Sequence, residues 1–287
     1  MKHFLLTILL LMNLSFFGQK NPTEEAQPIV DEGKMLYKSE MASWYGTDLF
    51  LEKYKDVDKI GGYFSYTEGA VSKCIFFSQT ENPKVIGTIS FDSTYNVKMA
   101  KANLTERDFT SNEYDIYAIR KIALEEIITD TLFQHYNNTN FNLIPLIKDK
   151  VKKVYVLSGP KNSGVVIFGN DYLLTFDANN KLIEKKQLHK NIMPINYSTK
   201  EGETNHAVSA VHNHHPDTGD FITATDICTL MLYAKFAHWK TYQVYSEKYF
   251  NLWNCETNQL IVVPIKTINK INKDQKKRNK KKEKLKD

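Results

Sequence analysis

The chain has 287 residues, 42% of them apolar and 12% aromatic, and a formal net charge of +5. That length suits one large or two smaller domains, and the apolar content excludes an intrinsically disordered chain. The surplus charge is local: positions 266–287 carry 11 Lys/Arg and 3 Asp/Glu, leaving a mildly acidic body of 27 basic and 30 acidic residues, so a nucleic-acid binder with a basic body is not indicated.

In chain order, Met1-Lys2-His3, the apolar run Phe4–Met12 and Gly18-Gln19 have the texture of an export signal removed after Gly18, which predicts a mature protein in the periplasm or outside the cell. The apolar run is shorter than the roughly 20 residues a membrane span needs, and no later run approaches that length. No cysteine lies near the cleavage region, so a lipid-anchored mature end is not expected. Residues 19–28 are polar and proline-marked, as in a flexible start.

Ile29 to Tyr54 reads as helix with a break near Gly46. Gly61–Thr67, Val71–Ser78 and Val85–Phe91 read as strands, and Thr94–Met99 as a fourth. A long helix is predicted from Asn112 to Tyr136, since no Gly or Pro interrupts it and Tyr117, Ile119, Ala123, Ile127 and Leu132 recur at near-helical spacing. These elements make an N-terminal module over 19–150, with no catalytic constellation in it.

A second module, 151–265, starts after the charged run Lys148–Lys153. Lys153–Leu157, Gly164–Gly169 and Tyr172–Asp177 read as strands; Ala178-Asn-Asn-Lys is a hairpin turn, and Leu182–Leu188 returns. Ala207–His212 reads as a buried strand, and Thr223–Trp239 as a helix apolar nearly all round, hence buried. Three more strands close the module. The three cysteines (Cys74, Cys228, Cys255) are too few for a disulfide framework, although one bridge is permitted; with no Cys-x-x-Cys pair, thiolate zinc sites and dithiol redox chemistry are disfavoured. Cys228 reads as a small core residue.

Chemistry concentrates at the strand-to-helix junction His212-Asn-His-His-Pro-Asp-Thr-Gly-Asp-Phe-Ile-Thr-Ala-Thr-Asp226. Two imidazoles at i and i+2 on a strand's end, with a carboxylate in the first turn of the next helix, could hold zinc and leave one position for water. Thr223-x-x-Asp226 is equally a helix cap with its acid at the third position. Asp217 and Asp220 read as turn acids, Asp220 being an alternative ligand, and His189 and His206 as surface residues, with a place behind the metal ligands or against substrate as the alternative.

The His-x-His, the spacer and the Thr-x-x-Asp, between a strand and a helix, resemble the JAMM metalloprotease motif, with His-Asn-His and the following Pro closest to its RadC-type branch. Tyr172–Ile183 is similar to that branch's strand–turn–strand. The likeness covers about 153–255, and the His-Asn-His letters do not indicate an HNH nuclease. It implies zinc on His212, His214 and Asp226, with Thr223 assisting the oxyanion. Two departures accompany it. The spacer before the Thr is eight residues from His214 and seven from His215, so His215 is an alternative ligand, with Asn213 then at the first position. The Glu that acts on the zinc water has no counterpart: counting back reaches Gly169, with Asp171 and Glu184 as substitutes nearby, or none.

The expectation is therefore an α+β protein: a helix/β-hairpin/long-helix module, then a mixed-sheet JAMM-like domain with a buried helix. Its leading function is an exported zinc-dependent peptidase or isopeptidase acting on a peptide or protein. The alternative is a non-catalytic JAMM-like binding protein of the cell envelope that has lost the general base. The tail at 266–287 is expected to be disordered or a frayed helix. Its run from Lys270 to Lys286 suits an anionic envelope surface; neither a specific nucleic acid nor a membrane span is expected.

Overall fold

The computed structural model describes residues 21–197 and 207–283, with backbone alone from 279. The segment read as an export signal, His206 and the last four residues lie outside them. The chain is α+β. A short helix α1 (Pro22–Glu25) leads into α2 (Gln27–Lys53). Strands β1 (Ile60–Glu68), β2 (Val71–Ser78), β3 (Val85–Phe91) and β4 (Lys101–Asn103) form an antiparallel sheet in that order. Helix α3 (Ser111–Thr129) follows. A second antiparallel sheet is ordered β5 (Thr139–Lys148), β6 (Val151–Pro160), β8 (Tyr172–Phe176), β9 (Leu182–Gln187), while β7 (Val165–Gly169) pairs with β10 (Ile192–Asn196). The last sheet is β11 (Ser209–Asn213), β12 (Thr241–Tyr245), β13 (Tyr249–Asn254), β14 (Gln259–Pro264), and α5 (Ile265–Glu283) ends the described chain.

Helix α2 organises the molecule. Val30, Gly33, Leu36, Ser39, Ala42, Gly46 and Phe50 are its buried residues, three or four apart, which puts them on one stripe. Its N-terminal half packs on α4 (Ala224–Tyr233) and the second and last sheets; its C-terminal half packs on the first sheet. Helix α3 places Ile119, Ala123 and Ile127 against Val154, Val156 and Leu174 of the second sheet, and Ile116 against the first. Both helices therefore join sheets on either side of position 150.

Several elements differ from the sequence expectation, each for a physical reason. Helix α2 runs unbroken through Gly46, because a Cβ there would sit 2.6 Å from the Cys74 Cβ; glycine serves close packing on β2 rather than a kink. Helix α3 stops at Thr129, where Asp130 turns to extended geometry and lets Phe133 enter the core. The fourth strand is 101–103, since 97–99 is a 3-10 turn. Within the Lys148–Lys153 run, Asp149 and Lys150 form a hairpin turn at positive φ (50° and 66°), joining β6 to β5, a strand whose irregular pattern gave no signal. Strand β11 is an edge strand, with its Val211 and the preceding Val208 more than half exposed. All three cysteines are free.

What positions the site is the parallel pairing of β11 with β12, connected through α4. Parallel neighbours need such a crossover, and it sets the end of β11 beside the start of α4. The entry to α4 is pinned by buried Asn251, whose Nδ2 donates to the Asp220 and Val244 carbonyls and whose Oδ1 accepts from the Ile222 N–H.

Candidate metal centre

Asp226 opens the centre from below. Thr223 is the N-cap of α4: its Oγ1 accepts from the Asp226 N–H at 3.1 Å, while Asp226 Oδ2 accepts from the Thr223 N–H (3.0 Å) and Oγ1 (2.7 Å). This reciprocal box satisfies orphan donors of the helix start and commits the Thr223 hydroxyl to the cap. Asp226 is 1% exposed.

His212 and His214 both face inward, as alternation along the end of β11 requires, and both are buried. His214 is fixed by its own N–H, which donates to the Tyr245 carbonyl at 2.7 Å; its Nε2 lies 3.1 Å from Asp226 Oδ2. His212 lies with its Nδ1 3.0 Å from the Tyr242 hydroxyl and its Nε2 3.8 Å from Asp226 Oδ1. His215 points away: its ring is 64% exposed and faces Asp217. The geometry thus groups His212 and His214, the register with the longer spacer. Asp220 pairs with Lys248 at 2.7 Å and Asp217 with Lys190, away from the cluster, and Glu184 is exposed on β9.

The residue that sequence reasoning missed is His189. Read there first as a surface group and only alternatively as a group beside the site, it is 9% exposed in the connection between β9 and β10. Its Nδ1 is 3.2 Å from Asp171 Oδ2, and its Nε2 3.7 Å from Asp226 Oδ2. Backbone bonds hold it there: Leu188 N–H donates to the Asp171 carbonyl (2.7 Å) and Asn170 N–H to that of Asn191 (3.0 Å). The approach depends on Gly169, at φ +78°, where a Cβ would meet the Asn191 oxygen at 2.1 Å; only glycine tolerates both demands. The same missing Cβ would stand 3.5 Å from His189 Cβ. At the position where the resemblance implies a Glu, the neighbouring side chain is therefore His189, oriented by buried Asp171. The only hint in the sequence is Gly169-Asn-Asp, a turn signal with no spacing rule linking it to a histidine 20 residues on.

One nitrogen from each of His189 and His214 and one Asp226 oxygen lie within 4.8 Å of one another. Burial works against a charge on His189, but Asp226 and Asp171 outweigh it and raise its pKa to about 9. Burial, aided by the neighbouring imidazoles, pushes His212 down to about 4 despite Asp226. Burial opposes the Asp226 charge, yet the three imidazoles hold its carboxyl well below the usual carboxylate range. Burial raises Asp171. In this buried setting His189 Nε2, His214 Nδ1 and Asp226 Oδ1 have no hydrogen-bond partner among the described residues. An unpartnered buried polar atom costs about 1–3 kcal/mol, and a divalent cation held by His189, His214 and Asp226 would engage His189 Nε2, which faces Asp226.

The fold and this group define an α+β protein with a buried His/His/Asp set close enough to bind a metal ion. Compared with protein-family models, curated proteins and solved structures, the chain matches none.

Proposed function

We propose that this is a zinc-holding, non-catalytic binding protein, in which His189, His214 and Asp226 hold the ion and His212 supplies the fourth donor. The observation that carries this reading is that one ligand atom from each of His189, His214 and Asp226 lies within 4.8 Å of the others, on side chains none more than 9% exposed. Imidazole nitrogen and carboxylate oxygen suit zinc, and four protein donors make a closed site, as in structural rather than catalytic zinc centres. Asp171 and Tyr242 address the Nδ1 atoms of His189 and His212, leaving each Nε2 turned towards Asp226. Such outer partners fix ring orientation. Zinc would there contribute folding free energy by joining the β9–β10 connection, β11 and α4.

A second reading is the zinc peptidase that the JAMM resemblance implies. It is favoured by the placement of His214 and Asp226 at a strand's end and a helix's first turn, and by His189–Asp171 beside the position expected for the general base. Zinc would supply a Lewis acid and a water acidified to a pKa of about 7, and His189 would hold or pass the proton at its Nε2.

Cobalt-loaded full chain separates the two. An absorption spectrum unmoved by acetohydroxamate, with no peptide cleaved, fits the closed centre. A hydroxamate-shifted spectrum, with cleavage abolished in His189→Gln, fits the peptidase. Failure to bind cobalt or zinc sinks both. Export through the first 18 residues and adhesion of Lys270–Lys286 to an anionic envelope surface belong to the same proposal. Among the described residues no helix is long and apolar enough to cross a membrane.

A further inference from the structure

Away from the metal centre, α2, β1, α3, β5 and the end of α4 enclose a cavity of about 620 Å³, lined by none of the cluster's residues. That volume suits a small organic ligand. Its polar floor is unusual. Arg120, on α3, reaches into it and lies over the Tyr63 ring, 5.7 Å from the centroid. Among the described residues no carboxylate or carbonyl pairs with its guanidinium, and its Nε is buried without a partner. Glu40 lines the same cavity but is engaged by Asn142, whose Nδ2 donates to Oε2 at 2.9 Å. Burial raises the Glu40 carboxyl to about 7 and depresses Arg120, and both residues are partly buried in the wall of the cavity. The guanidinium therefore lines the cavity with no acceptor from the described residues, and a carboxylate there would give it a charge-assisted partner.

The mouth is aromatic. Trp44 and Phe236 stack with centroids 6.5 Å apart, although they are 47% and 53% exposed. Half-exposed stacked rings offer a face to a flat apolar body. The charged lining residues are Arg120 and Lys161 against Glu40 and Asp48. That balance disfavours a dianion such as phosphate, whereas one planar guanidinium matches one carboxylate in a two-pronged bond.

We propose that this cavity binds a small aromatic carboxylate, its carboxylate on Arg120 and its ring against Trp44 and Phe236. The site is separate from the metal centre and does not rest on it. The probe is 3-phenylpropionate, titrated into the zinc-loaded full chain and followed by tryptophan fluorescence and calorimetry. Trp239 and Trp253 are buried, so Trp44 reports the mouth. The expected result is saturable binding with a fluorescence change that Trp44→Phe removes. Arg120→Gln should weaken affinity at least about tenfold, the equivalent of one charge-assisted hydrogen bond, and 2-phenylethylamine should not bind. Absence of saturable binding, equal affinity in Arg120→Gln, or equal binding of the amine overturns the proposal. Should Arg120→Gln fail to fold, Phe236→Ala at the exposed mouth takes its place: weakened binding supports the site, and unchanged binding overturns it.

Discussion

Two helices of this protein begin with the same device and use it differently. Helix α3 starts with Thr110-x-x-Glu113 and α4 with Thr223-x-x-Asp226; both are complete capping boxes, and both acids are 1% exposed. Glu113 is fully engaged: Arg107 donates to both carboxylate oxygens (2.6 and 2.8 Å), joined by the Thr110 N–H and the Tyr66 hydroxyl. Among the described residues, Asp226 has Oδ2 engaged by Thr223 and His214 but Oδ1 unpartnered, with three imidazoles around it and no Lys or Arg bonded to it. One carboxylate is a finished structural ion pair; the other is half of something. The cap motif is common to both, so what its acid faces separates structure from site.

That contrast can be broken by exchanging charge for shape. Asp226→Asn keeps an acceptor for the cap but loses the anionic donor, so zinc should fall from about one per chain to near zero by elemental analysis, with the fold retained by circular dichroism. Chelation of the wild type should lower stability, and zinc at about a thousand times its Kd should restore about 4 kcal/mol. Asp226→Asn should not respond to either. A variant that keeps its zinc would remove Asp226 from the centre.

Glu113→Gln should do the reverse, leaving zinc content unchanged and costing about 2 kcal/mol in urea unfolding, as expected for buried hydrogen bonds to a charged group. Burial opposes the Glu113 charge, but Arg107 and the Thr110 cap prevail and lower its pKa from 4.5 to about 2. Because the folded value is the lower one, its stabilisation is present above about 4.5 and lost as pH falls towards 2. The wild type should lose stability over that window, and Glu113→Gln should have a flatter profile there.

Gly169→Ala sharpens the account of His189. A side chain at φ +78° against the Asn191 oxygen should cost about 2 kcal/mol, and zinc affinity should fall with it, since the turn that delivers His189 must shift. Stability lost with unchanged zinc affinity would take His189 off the ion. The smallest effect is expected from the tail. Truncation before Lys270 should alter stability by less than about 0.5 kcal/mol while abolishing salt-sensitive retention on anionic vesicles; equal retention of the truncated chain would locate adhesion elsewhere.

Local patterns in the sequence were enough to place much of this. The Ala178–Lys181 hairpin turn, the strands after Lys240, the apolar helix at 224–233 and the inward His212/His214 pair follow from alternation, turn residues and a cap. Two kinds of feature were not legible. Strand β5 carries Pro145 and Asn residues and has no clear period, because α2 and α3 cover parts of it irregularly; β10, with Pro194, is a two-stranded edge. His189 has no local signature at all: it becomes part of the site only through Gly169, two backbone hydrogen bonds and Asp171, all of which are tertiary facts. The unpaired state of Arg120 is equally invisible in a helix read only from its apolar spacing and its lack of Gly and Pro.

X-ray absorption at the zinc edge of the loaded full chain tests the central claim most directly. A shell of three imidazole nitrogens and one carboxylate oxygen at about 2.0–2.1 Å, with no sulfur, is the predicted result. A shell dominated by water oxygens, or one showing fewer than two imidazoles, would contradict it.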